Sequence, residues 1–304
     1  MDDNNIALVL GGGGAAGNAW LIGVIAGLAE AGFDLTELAD LVIGTSAGAT
    51  TAVQVRSGIP AADLFASTLA PPQPPTGQVR PPPPAIPMET VFARMRAISA
   101  AATSAADLQR AMGAFGLESD PVLGPEAARQ RRALVAARLP IPDWPERPML
   151  IVALDAATGE VARFDRKSGV DLADAVTAST ALPGLVPTQA INGTRYMSGG
   201  VRSNENADLA SGYARVIVLS PLAGRDPHTE PAGQFEGLRR FPGSDLDSQV
   251  AALRGQGSRV EVITPDAGAR AAMGSNQMDL ATRAPSAHAG FAQGRHEGAR
   301  LALP

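Results

Sequence analysis

A chain of 304 residues, 45% of them apolar, can bury one sizeable core, either as a single large domain or as a domain carrying an insertion. Its net charge of -5 offers no electrostatic footprint for a nucleic acid or an anionic membrane surface, so no nucleic-acid partner is expected. The absence of cysteine excludes disulfides, thiolate nucleophiles and sulfur-ligated metals.

The opening residues, "MDDNNIALVLGGGG", are acidic where a secretory leader is basic, and glycine soon interrupts the apolar run. No later stretch reaches the roughly eighteen consecutive apolar residues of a membrane span, and the chain reads as soluble and cytoplasmic. "IALVLGGGG" predicts a strand and a turn, after which Trp20, Val24 and Leu28 fall at helical spacing before Gly32. "ADLVIGTSAGATTAVQVRSG" repeats the pattern, with Leu41 to Ile43 as strand, a tight glycine turn and a helix ending near Gly58. Two such units in succession favour a parallel sheet with crossover helices.

From Pro71 to Pro87 the chain is proline-rich and expected to run extended as a connector. Alanine-rich amphipathic stretches follow, so residues 71–148 are expected to hold this connector and a small helical insertion within a single domain spanning 1–304. That insertion reads equally well as a lid over a site or as a solvent-facing excursion. "PMLIVALDAATGEVARFD" then predicts a strand pair turning at Thr158 and Gly159, "DLADAVTASTALPGLVP" a helix stopped by Pro183, and "TQAINGTRYMSGG" a hairpin with Asn192 and Gly193 at its tip. "ARVIVLSPL" and "SRVEVITP" read as two more buried strands separated by a helix from Asp245 to Arg254, and "SAHAGFAQGRHEGARLAL" as a final helix.

Gly12 to Gly17 satisfy G-x-G-x-x-G between a strand and a helix, the fingerprint of a dinucleotide site. Such a site needs an acidic residue at the end of the second strand, but that strand ends at Ile43-Gly44 and runs into a serine turn. With no Lys-Ser/Thr pair after the glycines, nucleotide binding falls behind a second use of the loop. Glycines let backbone N–H groups converge on developing negative charge beside a helix N-terminus, as in an oxyanion hole. Gly44-Thr45-Ser46-Ala47-Gly48 supplies the matching G-x-S-x-G, in which small neighbours let a strand turn sharply and expose a hydroxyl. The plainer reading of Ser46 is a helix cap, whose hydroxyl accepts a backbone N–H.

"ALVLGGGGAAGNAWLIGVIAGLAEAG", "VIGTSAGA", "ASTALPGLVP" and "RYMSGGVRSNENADLA" together resemble the patatin-like phospholipases, across nearly the whole chain apart from the helical insertion. The resemblance implies an α/β fold, a three-layer α/β/α sandwich with a mostly parallel central sheet, and serine acyl hydrolysis of lipids or other esters by a Ser-Asp dyad. It makes Ser46 the nucleophile and places oxyanion donors among Gly12, Gly13 and Gly14, with Gly17, Gly44, Gly48, Gly199 and Gly200 supporting the turns. It implies a lipid or other acyl ester as partner, leaves room for transient contact with a membrane surface, and needs no cofactor. No His, Asp and Glu grouping has ligand spacing on one element, so no metal is expected.

Two positions depart from the family pattern. The turn that should carry the dyad aspartate reads Ser198-Gly199-Gly200, and a serine hydroxyl is too weak a base near neutral pH to take the proton of Ser46. Ala16 stands where many relatives have Arg or Lys. Asp155 reads as satisfying its following turn and Asp208 as a cap for "LASGYA". His228 falls in a proline-rich loop, and His288 and His296 on a polar, glycine-broken helix, which makes a triad histidine a poor alternative. Ser198 is then either a replacement in an otherwise ordinary hydrolase or native to a branch with altered chemistry. A non-catalytic lipid or acyl-chain binding protein stays open beside the enzyme.

Overall fold

The computed structural model describes residues 5–71, 86–224 and 238–301. Most of the expected proline-rich connector, and His228 with its loop, lie outside the described residues. In chain order, β1 (Ile6–Leu10) leads into α1 (Gly14–Glu30), the short α2 (Leu35–Leu38), β2 (Leu41–Thr45), α3 (Ala47–Val55) and α4 (Ala61–Leu69). Three further helices follow, α5 (Met88–Ala101), α6 (Ala105–Leu123) and α7 (Pro125–Ala136). Then come β3 (Met149–Asp155), β4 (Val161–Phe164), α8 (Leu172–Ser179), β5 (Gln189–Ile191) and β6 (Thr194–Ser198). The chain continues through β7 (Arg215–Leu219), α9 (Leu246–Gly255), β8 (Arg259–Ile263), α10 (Ala267–Met273) and α11 (Arg283–Leu301).

The strands form one sheet in the order β5-β6-β3-β2-β1-β7-β8, with β4 added on β3. Strands β3, β2, β1, β7 and β8 run parallel, while β4 and β6 pair antiparallel with β3 and β5 antiparallel with β6. Alternate residues of the parallel strands face opposite layers, and both faces are apolar because crossover helices cover both. Leu8, Leu10, Ile151, Ile217 and Leu219 join the core built with α1, α3 and α8. Ala7, Val9, Ile43, Val152, Val216 and Val218 turn to the other side, against Val250 and Leu253 of α9. The architecture is a mixed α/β sandwich with a mostly parallel central sheet.

Helix α1 is apolar nearly all round because it lies between the sheet and α11, with Trp20, Leu21, Val24 and Leu28 fully buried. The final helix is continuous from Arg283 to Leu301, so its glycines do not break it. They let two backbones touch: a Cβ on Gly290 would stand 2.4 Å from the Trp20 carbonyl oxygen, and one on Gly23 2.2 Å from that of Ala287. The Trp20 indole N–H crosses the same contact to Gln293 Oε1 at 3.1 Å.

Between α5 and α6 the chain turns at Thr103-Ser104, where Ser104 Oγ accepts from Asp107 N at 3.1 Å and Asp107 Oδ2 accepts from Thr103 N at 2.9 Å. This reciprocal cap starts α6 and separates the two helices. Val91, Phe92 and Met95 of α5 and Leu108 and Met112 of α6 bury their apolar face on Leu154 and Met197, so these helices cover one end of the sheet. Helix α8 ends at Ser179, four residues short of the expected stop at Pro183. Pro183 disfavours helical geometry at Leu182, and the Ala181 carbonyl leaves the helix to accept from Ser198 N at 2.8 Å. No helix among the described residues is long and apolar enough to cross a membrane.

Candidate active site

Leu10 pairs with Gly44 at the ends of parallel strands β1 and β2, so the glycine loop and the serine turn leave the sheet side by side. A Cβ on Gly12 would lie 3.5 Å from that of Ser46. Ser46 adopts φ 54 and ψ -116, a left-handed conformation that strains any residue with a side chain and is tolerated at functional turns. The turn closes only because position 48 is glycine: a Cβ there would stand 1.9 Å from the Leu10 carbonyl oxygen. Ser46 N donates to Ser179 Oγ at 2.9 Å, and Ser179 Oγ donates to the Val152 carbonyl at 2.6 Å. Although Ser46 sits at the N-cap of α3, its side chain makes no capping bond. Its hydroxyl makes no hydrogen bond among the described residues, which the cap reading did not expect.

The amides of the glycine loop divide into two kinds. Gly12 N donates to the Asn204 carbonyl at 2.8 Å, so that amide is already engaged. Gly13 and Gly14, at the N-terminus of α1, have N–H groups with no acceptor among the described residues. Gly17 N returns to the Gly13 carbonyl at 2.8 Å and closes the first turn of α1. Ala16 is fully buried, and its N–H donates to the Gln277 carbonyl at 3.0 Å.

Ser198 ends β6, where it pairs with Ala153 of β3, and Thr45 pairs with the preceding Val152. Its Oγ accepts from Gly200 N at 3.2 Å. Gly12, Gly13, Gly14, Ser46, Ser198 and Gly200 all border one cavity of about 500 Å³. Gly17, Gly44, Gly48 and Gly199 stand behind it as backbone support rather than in its wall. Met95, Leu108 and Met112 from α5 and α6, with Leu182, Leu185 and Val186, supply apolar walls, a composition suited to an acyl chain.

No Asp, Glu or His is among the described residues bordering this cavity. Asp155 accepts from Ala157 N at 2.7 Å and Thr158 N at 3.1 Å, holding its turn. Asp208 is not a cap: its two carboxylate oxygens pair with Arg202 at 2.9 and 2.7 Å, because the neighbouring guanidinium offers a matching fork. His288 is exposed, edge-on to Phe65 with ring centroids 5.7 Å apart, and His296 is also exposed. Glu205, a buried acid, is not among the residues bordering the cavity and accepts from Ser220 Oγ at 2.5 Å; burial raises its carboxyl above the ordinary range.

Sequence reasoning missed several neighbours. Ser179, within "ASTALPG", holds the Ser46 amide, a role set by the sheet rather than by any local pattern. Asn204 anchors the glycine loop through its carbonyl, and its Oδ1 accepts from Arg240 at 2.6 Å. Arg240 also donates to the Gly200 carbonyl at 3.0 Å, tying the Ser198 turn to the glycine loop. Five arginines border the cavity, Arg131, Arg138, Arg239, Arg240 and Arg283, from segments far apart in sequence.

Among solved structures, VipD from Legionella pneumophila aligns at a TM-score of 0.45 and 14% identity, over 98% of this chain and 67% of its own. The type III effector ExoU aligns at 0.39 and 14%, over 99% of this chain and 54% of its own, so the present chain spans about half of ExoU. No curated protein matches the sequence. The family model for patatin-like phospholipase matches residues 8–211, which include the glycine loop, the serine turn, Ser179 and Ser198. The chain belongs to the patatin-like phospholipase family.

Proposed function

We propose that the protein is an acyl ester hydrolase whose nucleophile is Ser46, whose oxyanion donors are the Gly13 and Gly14 amides, and whose general-base position is occupied by Ser198. The observation that carries this reading is the free Ser46 hydroxyl on a strained turn, beside two unengaged amides and in one cavity with Ser198. Attack of Ser46 Oγ on an ester carbonyl forms the new C–O bond, and the two glycine amides stabilise the charge on the former carbonyl oxygen. The serine proton must then leave for a base that can return it to the departing alcohol. Ser198 cannot do this, and a missing general base costs about 10²- to 10⁴-fold. The chain as written is accordingly a very slow catalyst.

The Ser198→Asp variant supplies a carboxylate at the end of β6. Its hydrolysis of a short-chain aryl ester should rise by about 10²- to 10⁴-fold. No gain in a folded variant would overturn the assignment of position 198.

A second reading, a non-catalytic binder of acyl chains in the same cavity, is favoured by the lack of carboxylate and imidazole among the described lining residues. Under it, Ser46→Ala leaves ligand affinity unchanged and no variant at 198 produces turnover.

A further inference from the structure

The turns that bear Ser46 and Ser198 meet at a third residue. Thr45 precedes Ser46 at the end of β2 and Gly199 follows Ser198 at the end of β6, and both are buried. Asn206, itself fully buried, reaches both. Its Nδ2 donates to Thr45 Oγ1 at 3.1 Å and to the Gly199 carbonyl at 3.3 Å, and also to the Ser203 carbonyl at 2.8 Å. Its two N–H bonds are shared among these three oxygens. The Thr45 hydroxyl in turn faces the Glu205 carbonyl at 3.4 Å.

The other side of the amide is fixed as well. Asn206 Oδ1 accepts from Arg202 at 2.7 Å, and the same guanidinium is held by the carboxylate of Asp208. With three oxygens on one side and a cation on the other, the amide has one orientation that satisfies it. The backbone of Asn206 is left-handed, at φ 55 and ψ 43, and its N–H donates to Ser203 Oγ at 3.0 Å. Asparagine tolerates that conformation, but glycine adopts it with less strain, so the backbone alone does not call for an amide. A buried amide with every polar atom engaged is a rigid link, and this one joins segments 161 residues apart in sequence.

We propose that Asn206 is a positioning residue, which sets the spacing of Ser46 and position 198 by bracing the residue before the one to the residue after the other. It touches neither reacting hydroxyl and acts through Thr45 and Gly199. Proton transfer between two side chains depends steeply on their separation, so a brace between their neighbours governs how well a base at 198 can serve Ser46. This inference rests on the hydrolase reading for its consequence in turnover, and on the hydrogen bonds alone for the brace.

The test compares the gain that Ser198→Asp confers on aryl ester hydrolysis in the otherwise unaltered chain with the gain it confers alongside Asn206→Gly or Thr45→Val. Either brace variant should shrink the gain by about 10- to 10²-fold, whereas Thr45→Ser, which keeps the hydroxyl, should retain it. A loss of folded protein lowers both members of each pair equally and leaves the ratio intact, so an undiminished gain in the folded variants overturns the proposal. Hydrogen exchange read by mass spectrometry on chains retaining Ser198 tests the brace without turnover. Asn206→Gly or Thr45→Val should speed exchange at Ala49 and Thr50, whose amides close the Ser46 turn, and at Gly200, Arg202 and Ser203, whose amides close the Ser198 turn, but not in α11. Unchanged exchange in either turn, or a uniform rise that includes α11, overturns it. The two variants reach the brace from opposite ends, so either one decides if the other fails to fold. No gain from Ser198→Asp in the unaltered chain sinks the hydrolase reading alone, and exchange then decides the brace.

Discussion

Ser46 and Ser198 approach one another along a single edge of β3. Thr45 pairs with Val152 and Ser198 with the next residue, Ala153, while β4 occupies the opposite edge from Ile151 to Leu154. Parallel β2 and antiparallel β6 therefore end against each other on one side of the same strand. Ser46 and Ser198 are therefore far apart in sequence but adjacent at this edge of the sheet, and the proposed rescue by Ser198→Asp rests on that adjacency.

The Ser179 hydroxyl should prove structural for this arrangement. Ser179→Ala leaves the Ser46 N–H and the Val152 carbonyl without their partner, which should lower stability by about 1–3 kcal/mol. Urea unfolding measures it, and an unchanged midpoint would show that the bond contributes nothing.

Deacylation needs the same base as acylation, because water must also lose a proton. Treatment of the unaltered chain with an activated aryl ester should therefore yield a Ser46 adduct that persists. Intact-mass spectrometry over time reads this directly, and prompt loss of the acyl mass would mean that another group activates water.

The parallel strands, the two glycine turns and the hairpin were legible because each is local, a short apolar run ending in residues that permit a sharp bend. The glycines of α11 misled for the opposite reason, since they are explained by the backbone of α1, far away in the chain. The engagement of Gly12 by Asn204 and the pairing of Asp208 with Arg202 likewise depend on partners that no local pattern reveals. The arginines around the cavity were illegible in the same way, because Arg131, Arg239 and Arg283 come from distant segments that border one cavity only in the fold.

Gly48 is required by contact rather than by dihedral angle. Gly48→Ala drives a methyl into the Leu10 carbonyl and should cost about 3 kcal/mol, with the serine turn displaced. A variant with an unchanged urea midpoint would contradict the close approach of α3 to β1.

Glu205 should make stability fall with rising pH. Burial raises its folded-state value above the unfolded one, so between the two the native state holds a proton that the unfolded chain has released. Its contribution is fullest below the ordinary carboxyl range and is lost as pH climbs through the raised value. Melting temperature against pH should show a shallower decline in Glu205→Gln than in the unaltered chain, and parallel curves would refute the shift.

The central claim, a serine nucleophile lacking only its base, is tested most directly by comparing Ser198→Asp with Ser198→Asp/Ser46→Ala in the same ester assay. The account predicts that the turnover gained with the aspartate disappears when Ser46 is removed. Turnover that survives the loss of Ser46 would contradict it.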